Sequence, residues 1–164
     1  VIQGGLLSID PSHETGWAYG LPTDRLPTVG RWLLPKGTWV RRAAALEHDL
    51  GDFLKEWQPR QIVVELPLPP LAQTHTLSAL SQYSLHTVVM LSAFWVSVPV
   101  FGVSAQTVRY ELLGRSVFSG TEVKRQVIAF CRRQGIRSAN DNECDAALQW
   151  LWYQGNPAAR RAVN

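Results

Sequence analysis

The sequence is poor in charge and in sulfur. Asp, Glu, Lys and Arg supply 18% of its 164 residues, against about a quarter in an average soluble domain. There are two cysteines and one methionine. Cys131 and Cys144 stand at apolar positions in helical patterns, so they are expected as buried free thiols, not as a disulfide or a thiolate metal site. Long apolar runs are missing too. The longest, Leu85 to Val100, is interrupted by His86, Thr87, Ser92 and Ser97, which argues against a bilayer span. With no leader pattern either, a cytoplasmic location away from membranes is expected. Repeats, low-complexity tracts and linkers are absent, which gives one domain over 1–164, with a core over 6–155 and a frayed tail over 156–164. What the chain does have is 46% hydrophobic residues, seven Trp and a formal charge of +3. That is enough apolar mass for one core, and a mild basic bias compatible with a polyanionic partner.

Hydrophobic patterning sets the order of elements. Leu6 to Asp10, Trp17 to Gly20 and Val29 to Leu34 read as strands, separated by Gly16, Gly20, Pro22, Asp24 and Pro27. Trp39, Ala43, Leu46, Leu50, Phe53, Leu54 and Trp57 then recur at helical spacing, with Arg41, Arg42, Glu47, Asp49 and Lys55 on the solvated side and Pro59 as the stop. Gln61 to Leu66 and Pro99 to Val103 read as buried strands on either side of a helix from Thr74 to Trp95. Thr107 to Leu113, Ser119 to Arg133 and a segment capped by Asn140 or Asp141 and ending near Gly155 read as the last helices. The order βββαβαβ followed by helices predicts an α/β domain. Its mixed five-stranded sheet has three antiparallel strands, then parallel ones, and helices on both faces.

Acids mark the ends of these elements. Asp10 closes the first strand and Glu65 closes the fourth. A carboxylate at the end of a buried strand is costly without a cation or a donor. If those strands are neighbours, the two acids face one another, and a divalent cation would relieve their repulsion. In Asp141-Asn142-Glu143-Cys144-Asp145-Ala146-Ala147, Asp141 and Asp145 lie one helical turn apart. Glu143 points away unless the helix start is loose, and the two alanines let the helix press on the sheet. Each acid also has a plainer role. Asp10 serves as a turn residue, Glu65 as half of an ion pair, Asp141 as an N-cap and Glu143 as a complement to the helix dipole. Three separate elements presenting acid at a terminus, in a charge-poor chain, favour two-metal phosphodiester hydrolysis. Two Mg²⁺ ions, or Mn²⁺ in their place, would lie roughly 4 Å apart. Asp10 would bridge them, Glu65 and Asp145 would bind one each, and Asp141 would support the second.

Ile9-Asp10-Pro11-Ser12 with Thr15-Gly16-Trp17-Ala18, then Val63-Val64-Glu65, Val123-Lys124-Arg125-Gln126-Val127 and Asp141 to Ala147, together resemble the RuvC-type Holliday-junction resolvases. The resemblance spans roughly Leu6 to Trp152. It implies the ribonuclease H-like fold, a homodimer, divalent metal and paired nicking of four-way DNA junctions. It also implies that Lys124 is a basic catalytic residue near the scissile phosphate. The position three before the last Asp, acidic in several members, is Asn142 here; Asp141 is the first substitute and Glu143 the second. The loop after Glu65 is unusually rich in proline.

Lys124, Arg125, Arg109 and Arg115 are the expected DNA contacts, with Arg132, Arg133 and Arg137 in the same third of the chain. The helix ending at Trp95 has a wide apolar arc, suited to the sheet on one side and a second subunit on the other. His13 and His75 are candidates to meet a phosphate or DNA, and Tyr83 reads as amphipathic surface. Junction resolution is the leading function. The alternatives are a sibling nuclease acting on other branched DNA, RNA–DNA hybrids or structured RNA, and a nucleic-acid-binding module that no longer cleaves.

Overall fold

The computed structural model describes residues 4–69, 75–114, 120–138 and 140–161. Its elements are β1 (Leu6–Asp10), β2 (Glu14–Gly20), β3 (Thr28–Leu33), α1 (Trp39–Trp57), β4 (Gln61–Glu65), α2 (Thr76–Trp95), β5 (Val100–Val103), α3 (Ala105–Leu113), α4 (Gly120–Gln134), α5 (Asp141–Gly155) and α6 (Pro157–Arg161). The five strands form one sheet in the order β3-β2-β1-β4-β5. The β1–β2 and β2–β3 pairs are antiparallel, while β1–β4 and β4–β5 are parallel. The expected mixed sheet is therefore present, and the first and fourth strands are neighbours.

Strand alternation sorts side chains between two cores. Leu7 and Ile9 of β1 with Ile62 and Val64 of β4 meet Leu46, Leu50 and Phe53 of α1 and Leu85 and Val89 of α2. Leu6 and Val63 face the other way, onto Ala146, Ala147, Leu148 and Trp150 of α5, with α3 and α4 outside. Asp10 and Glu65 share the parity of Leu6 and Val63, so β1 and β4 aim both acids at the α5 side. The register brings them level: Ile9 pairs with Val64, one residue before each acid.

Local signals end the elements where the chain must turn. Thr38 caps α1 by accepting from the Arg41 N–H, and α1 stops at Gln58 in the left-handed region (φ 43°), just before Pro59. The Asn140 side chain accepts from the Glu143 N–H at 2.9 Å and starts α5. The pairing of β2 with β3 extends back to Glu14↔Leu33, so β2 begins three residues before the apolar pattern does. Within the stretch expected as a frayed tail, Pro157–Arg161 form the short helix α6. Asn156 caps α6 through the N–H groups of Ala158 and Ala159, both at 3.1 Å, Pro157 sits at its first position, and Ala159 is buried. Both cysteines are free and buried. Among the described residues no helix is long and apolar enough to cross a membrane.

Candidate active site

The site forms where β1 and β4 end beneath the first turns of α5. Helix and sheet come close at Gly16, opposite Asp10 in the β1–β2 pair. A Cβ at Gly16 would collide with the Asn142 carbonyl and the Glu143 N–H, so only glycine lets α5 descend onto β2 there. Ala146 and Ala147 are fully buried and admit the helix one turn further on, as their size suggested. Descent brings Asp141, Asp145 and Gln149, which step by four along one face of α5, over the strand ends.

The acids are held from several sides. Arg109 of α3 donates to both Asp145 oxygens at 3.0 Å. Lys124 of α4 reaches the Asp141 carboxylate at 2.7 Å. Gln149 is fully buried. Its Nε2 donates to Glu65 at 3.2 Å, and its Oε1 accepts from the Ser8 hydroxyl at 3.3 Å, tying the strand to the helix beneath the acids. Among the described residues, four carboxylates (Asp10, Glu65, Asp141, Asp145) thus share two cationic side chains.

Burial and mutual repulsion show in the acidities. Asp10 is raised far above the usual carboxylate range, first by burial, then by Glu65 and Asp145, with Arg109 opposing and Asp141 adding to the rise. Glu65 is pushed up to about 7 by burial and by Asp145, against the pull of Arg109 and Gln149. Asp145 is also raised, because burial outweighs its pairing with Arg109. Lys124 is raised by its hydrogen bond and attraction to Asp141.

A divalent cation fits this donor set. Every donor is a hard carboxylate oxygen, as Mg²⁺ or Mn²⁺ prefers, and the negative charge exceeds the positive charge around it. Among the described residues no three acid, His or Cys side chains already converge at coordinating distance. Arg109 and Lys124 hold two of the acids in their present positions.

The remaining sequence candidates are placed as follows. Glu143 is turned away from the cluster, since two residues along an α-helix is a rotation of roughly 200°; its buried carboxylate lies 3.9 Å from Arg31. The charges acting on Asp10 come from the other acids and Arg109. Arg109, expected on DNA, is turned inward onto Asp145. Arg125 is exposed and paired with Glu122 at 2.8 Å. Arg115 lies outside the described residues. Tyr83 donates to the Leu68 carbonyl at 3.1 Å, while His13 and His75 line a groove beside the strand ends.

Two participants escaped the sequence reading. Gln149 carried a readable signal, because it continues the Asp141–Asp145 step of four into the apolar stretch from Ala146 to Tyr153. Arg42 was read as solvated, yet it stands one turn before Leu46 on the face that continues through Leu50 and Phe53, and it is half-buried in that groove.

No protein-family model matches the chain. Over 33 residues it is 52% identical to a protein of Chromobacterium violaceum described as a pre-16S rRNA nuclease; the match covers 20% of this chain and 24% of that protein. Solved structures match over nearly the whole fold. Thermus thermophilus RuvC in complex with a Holliday junction substrate superposes with a TM-score of 0.69 at 18% identity, covering 92% of this chain and 93% of that one. Thermus thermophilus RuvC in a second structure gives 0.62 at 17% identity, with 97% of each chain covered. The yeast mitochondrial Holliday junction resolvase gives 0.59 at 13% identity, covering 94% and 80%. The resemblance read from the acidic motifs therefore holds at the level of architecture: this chain has the ribonuclease H-like fold in the form shared by the RuvC and yeast mitochondrial resolvases.

Proposed function

We propose that the chain is a metal-dependent endonuclease that resolves four-way DNA junctions. The observation that carries this reading is the meeting of Asp10, Glu65, Asp145 and Asp141 from three elements at one end of the sheet, with too little positive charge beside them. Asp10, Glu65, Asp145 and Asp141 would hold two divalent cations, which when bound activate a water and stabilise the leaving oxygen in phosphodiester hydrolysis. The protein's own groups do the rest. Burial of Asp10 and Glu65 keeps competing water away from the strand ends. Lys124, largely exposed beyond Asp141, can turn its ammonium to a phosphate oxygen and offset charge that develops there. Arg109 neutralises Asp145 while no other cation does, and its guanidinium can pass to a phosphate once Asp145 is engaged. Gln149 fixes the Glu65 carboxylate through the buried Ser8 contact.

Paired nicking needs two sites, and the exposed side of α2 supports a homodimer. Leu77, Leu80, Ser84, Thr87, Leu91 and Phe94 follow alternating steps of three and four. Leu77 and Phe94 are more than 70% exposed, an apolar seam of the kind a second helix covers. The 33-residue match to a pre-16S rRNA nuclease favours a second reading, cleavage of structured RNA by the same acids.

The test is cleavage of a labelled four-way junction, a linear duplex, an RNA–DNA hybrid and a structured RNA, with Mg²⁺ or EDTA, by the wild type and Asp10→Asn. Symmetric, metal-dependent nicking of the junction that is lost in the variant is expected. Cutting only of RNA would select the second reading, and binding without cutting in any metal would remove both.

A further inference from the structure

A groove of about 410 Å³ opens beside the strand ends, between the β1–β2 turn and the first turns of α2. Pro11, Gln82 and Arg42 line it. Pro11 and Gln82 also line the narrow crevice that contains Asp10 and Glu65, so the groove adjoins the acids. Part of its wall is polar: His13, Ser78 and Ser81 border it with Arg42.

Arg42 is the anomaly. Its Nε is buried and has no hydrogen-bond partner. Its Nη1 makes one long contact, 3.4 Å, to the Ser81 hydroxyl. Among the described residues no carboxylate pairs with it, whereas Arg109, the half-buried cation beside the acids, has one. A guanidinium drawn into a protein without an anion loses hydration and regains little. Its planar fork suits a phosphate better than any other common group. The arginine lines a groove that adjoins the crevice of the candidate catalytic carboxylates, so a strand with one phosphate over Asp10 would have a neighbouring phosphate to place there.

We propose that Arg42 is a binding residue for a backbone phosphate of the substrate strand, flanking the phosphate that is cut, with Ser81 and Ser78 as supporting donors. This rests on the nuclease reading. The ligand chemistry, a phosphodiester, is common to DNA and RNA, and the experiment carries an arm for each.

The experiment is fluorescence anisotropy of a labelled DNA four-way junction and a labelled structured RNA in EDTA, over a range of KCl. It compares the wild type, Arg42→Gln, Arg42→Lys and Ser81→Asp, with a thermal melt of each. Ser81→Asp keeps Arg42 and its packing but supplies an internal anion, so it decides the matter if Arg42→Gln does not fold. On whichever nucleic acid the wild type binds, Arg42→Gln and Ser81→Asp are expected to weaken binding about tenfold and to lower the slope of log K against log salt by about one. Arg42→Lys is expected to keep the slope. Wild-type slope and affinity in folded Ser81→Asp and Arg42→Gln would overturn the inference. If those variants still cut in Mg²⁺ with dependence on Asp10, the nuclease reading survives without it. A wild type that binds neither nucleic acid ends both.

Discussion

Asp10 and Asp145 show how one carboxylate's surroundings fix what its neighbours must do. Asp10 is buried among like charges, so its ionised form is the strained one in the metal-free protein. Asp10→Asn is therefore expected to abolish cleavage and to raise the melting temperature measured in EDTA, a combination that a merely structural carboxylate would not give. Arg109 is the largest favourable charge acting on Asp145. Arg109→Ala leaves that acid buried without its bidentate partner and is expected to cost about 2 kcal/mol in EDTA, below the full value for a buried pair because both groups touch solvent. Chemical denaturation in EDTA and in Mg²⁺ checks it: the loss should shrink when a divalent cation is present. Lys124→Ala, at an exposed position, is expected to leave the melt unchanged and to slow cleavage roughly a hundredfold, as single-turnover rates would show.

At the scale of elements, the meeting of α5 with β2 decides whether a site exists at all. Gly16→Val places branched carbons against the Asn142 carbonyl, where backbone, not a flexible side chain, must yield. A loss of about 3 kcal/mol is expected, with weaker Mg²⁺ binding in whatever fraction still folds, read by calorimetry. The elements themselves were largely legible. Leu6 to Asp10 and the helix from Trp39 were read at their observed starts, since alternation and the 3.6-residue period are local properties. The first three residues of β2 and the tail helix were not. Glu14 joins its strand only because Leu33 lies opposite, and the tail helix needs the pocket that buries Ala159. The acids were legible as strand-end residues, but the partners that hold them were not. Arg109 looked like any exposed cation until α3 packed beside α5, and Arg42 was assigned to the solvated side although it continues a buried stripe.

For the whole molecule, the acid cluster couples stability to pH and to metal. Asp10, Glu65 and Asp145 all have folded acidities above those of an unfolded chain. The native state therefore holds more protons than the unfolded state between roughly pH 4, the ordinary carboxylate value, and the Glu65 value of about 7. Stability falls as pH rises through that window. Without divalent cation the protein is expected to melt higher at the acidic end of the window than above pH 7, and added Mg²⁺ should raise the melting temperature more at the alkaline end. Thermal melts across pH in EDTA and Mg²⁺ test this, and a metal-free protein that gains stability from pH 5 to 7 would count against the cluster as drawn. Assembly belongs to this scale as well. If the proposed homodimer forms through α2, Phe94→Glu on its exposed seam is expected to give a monomer in sedimentation, with the fold retained because Leu85, Val89 and Ala93 hold the opposite face of the helix in the core.

The sequence by itself determined the order and type of most elements, the class of fold and the acids worth watching. Each of those rests on spacing along the chain, on the residues that start and stop helices and strands, and on the cost of leaving a carboxylate at a buried strand end. Only the tertiary structure decided which charges answer those acids. Arg109 against Asp145, Lys124 against Asp141, Gln149 between Ser8 and Glu65, and Arg42 against Ser81 without a carboxylate join residues distant in sequence. Electrostatic partnership depends on distance and burial in three dimensions, neither of which a linear pattern records.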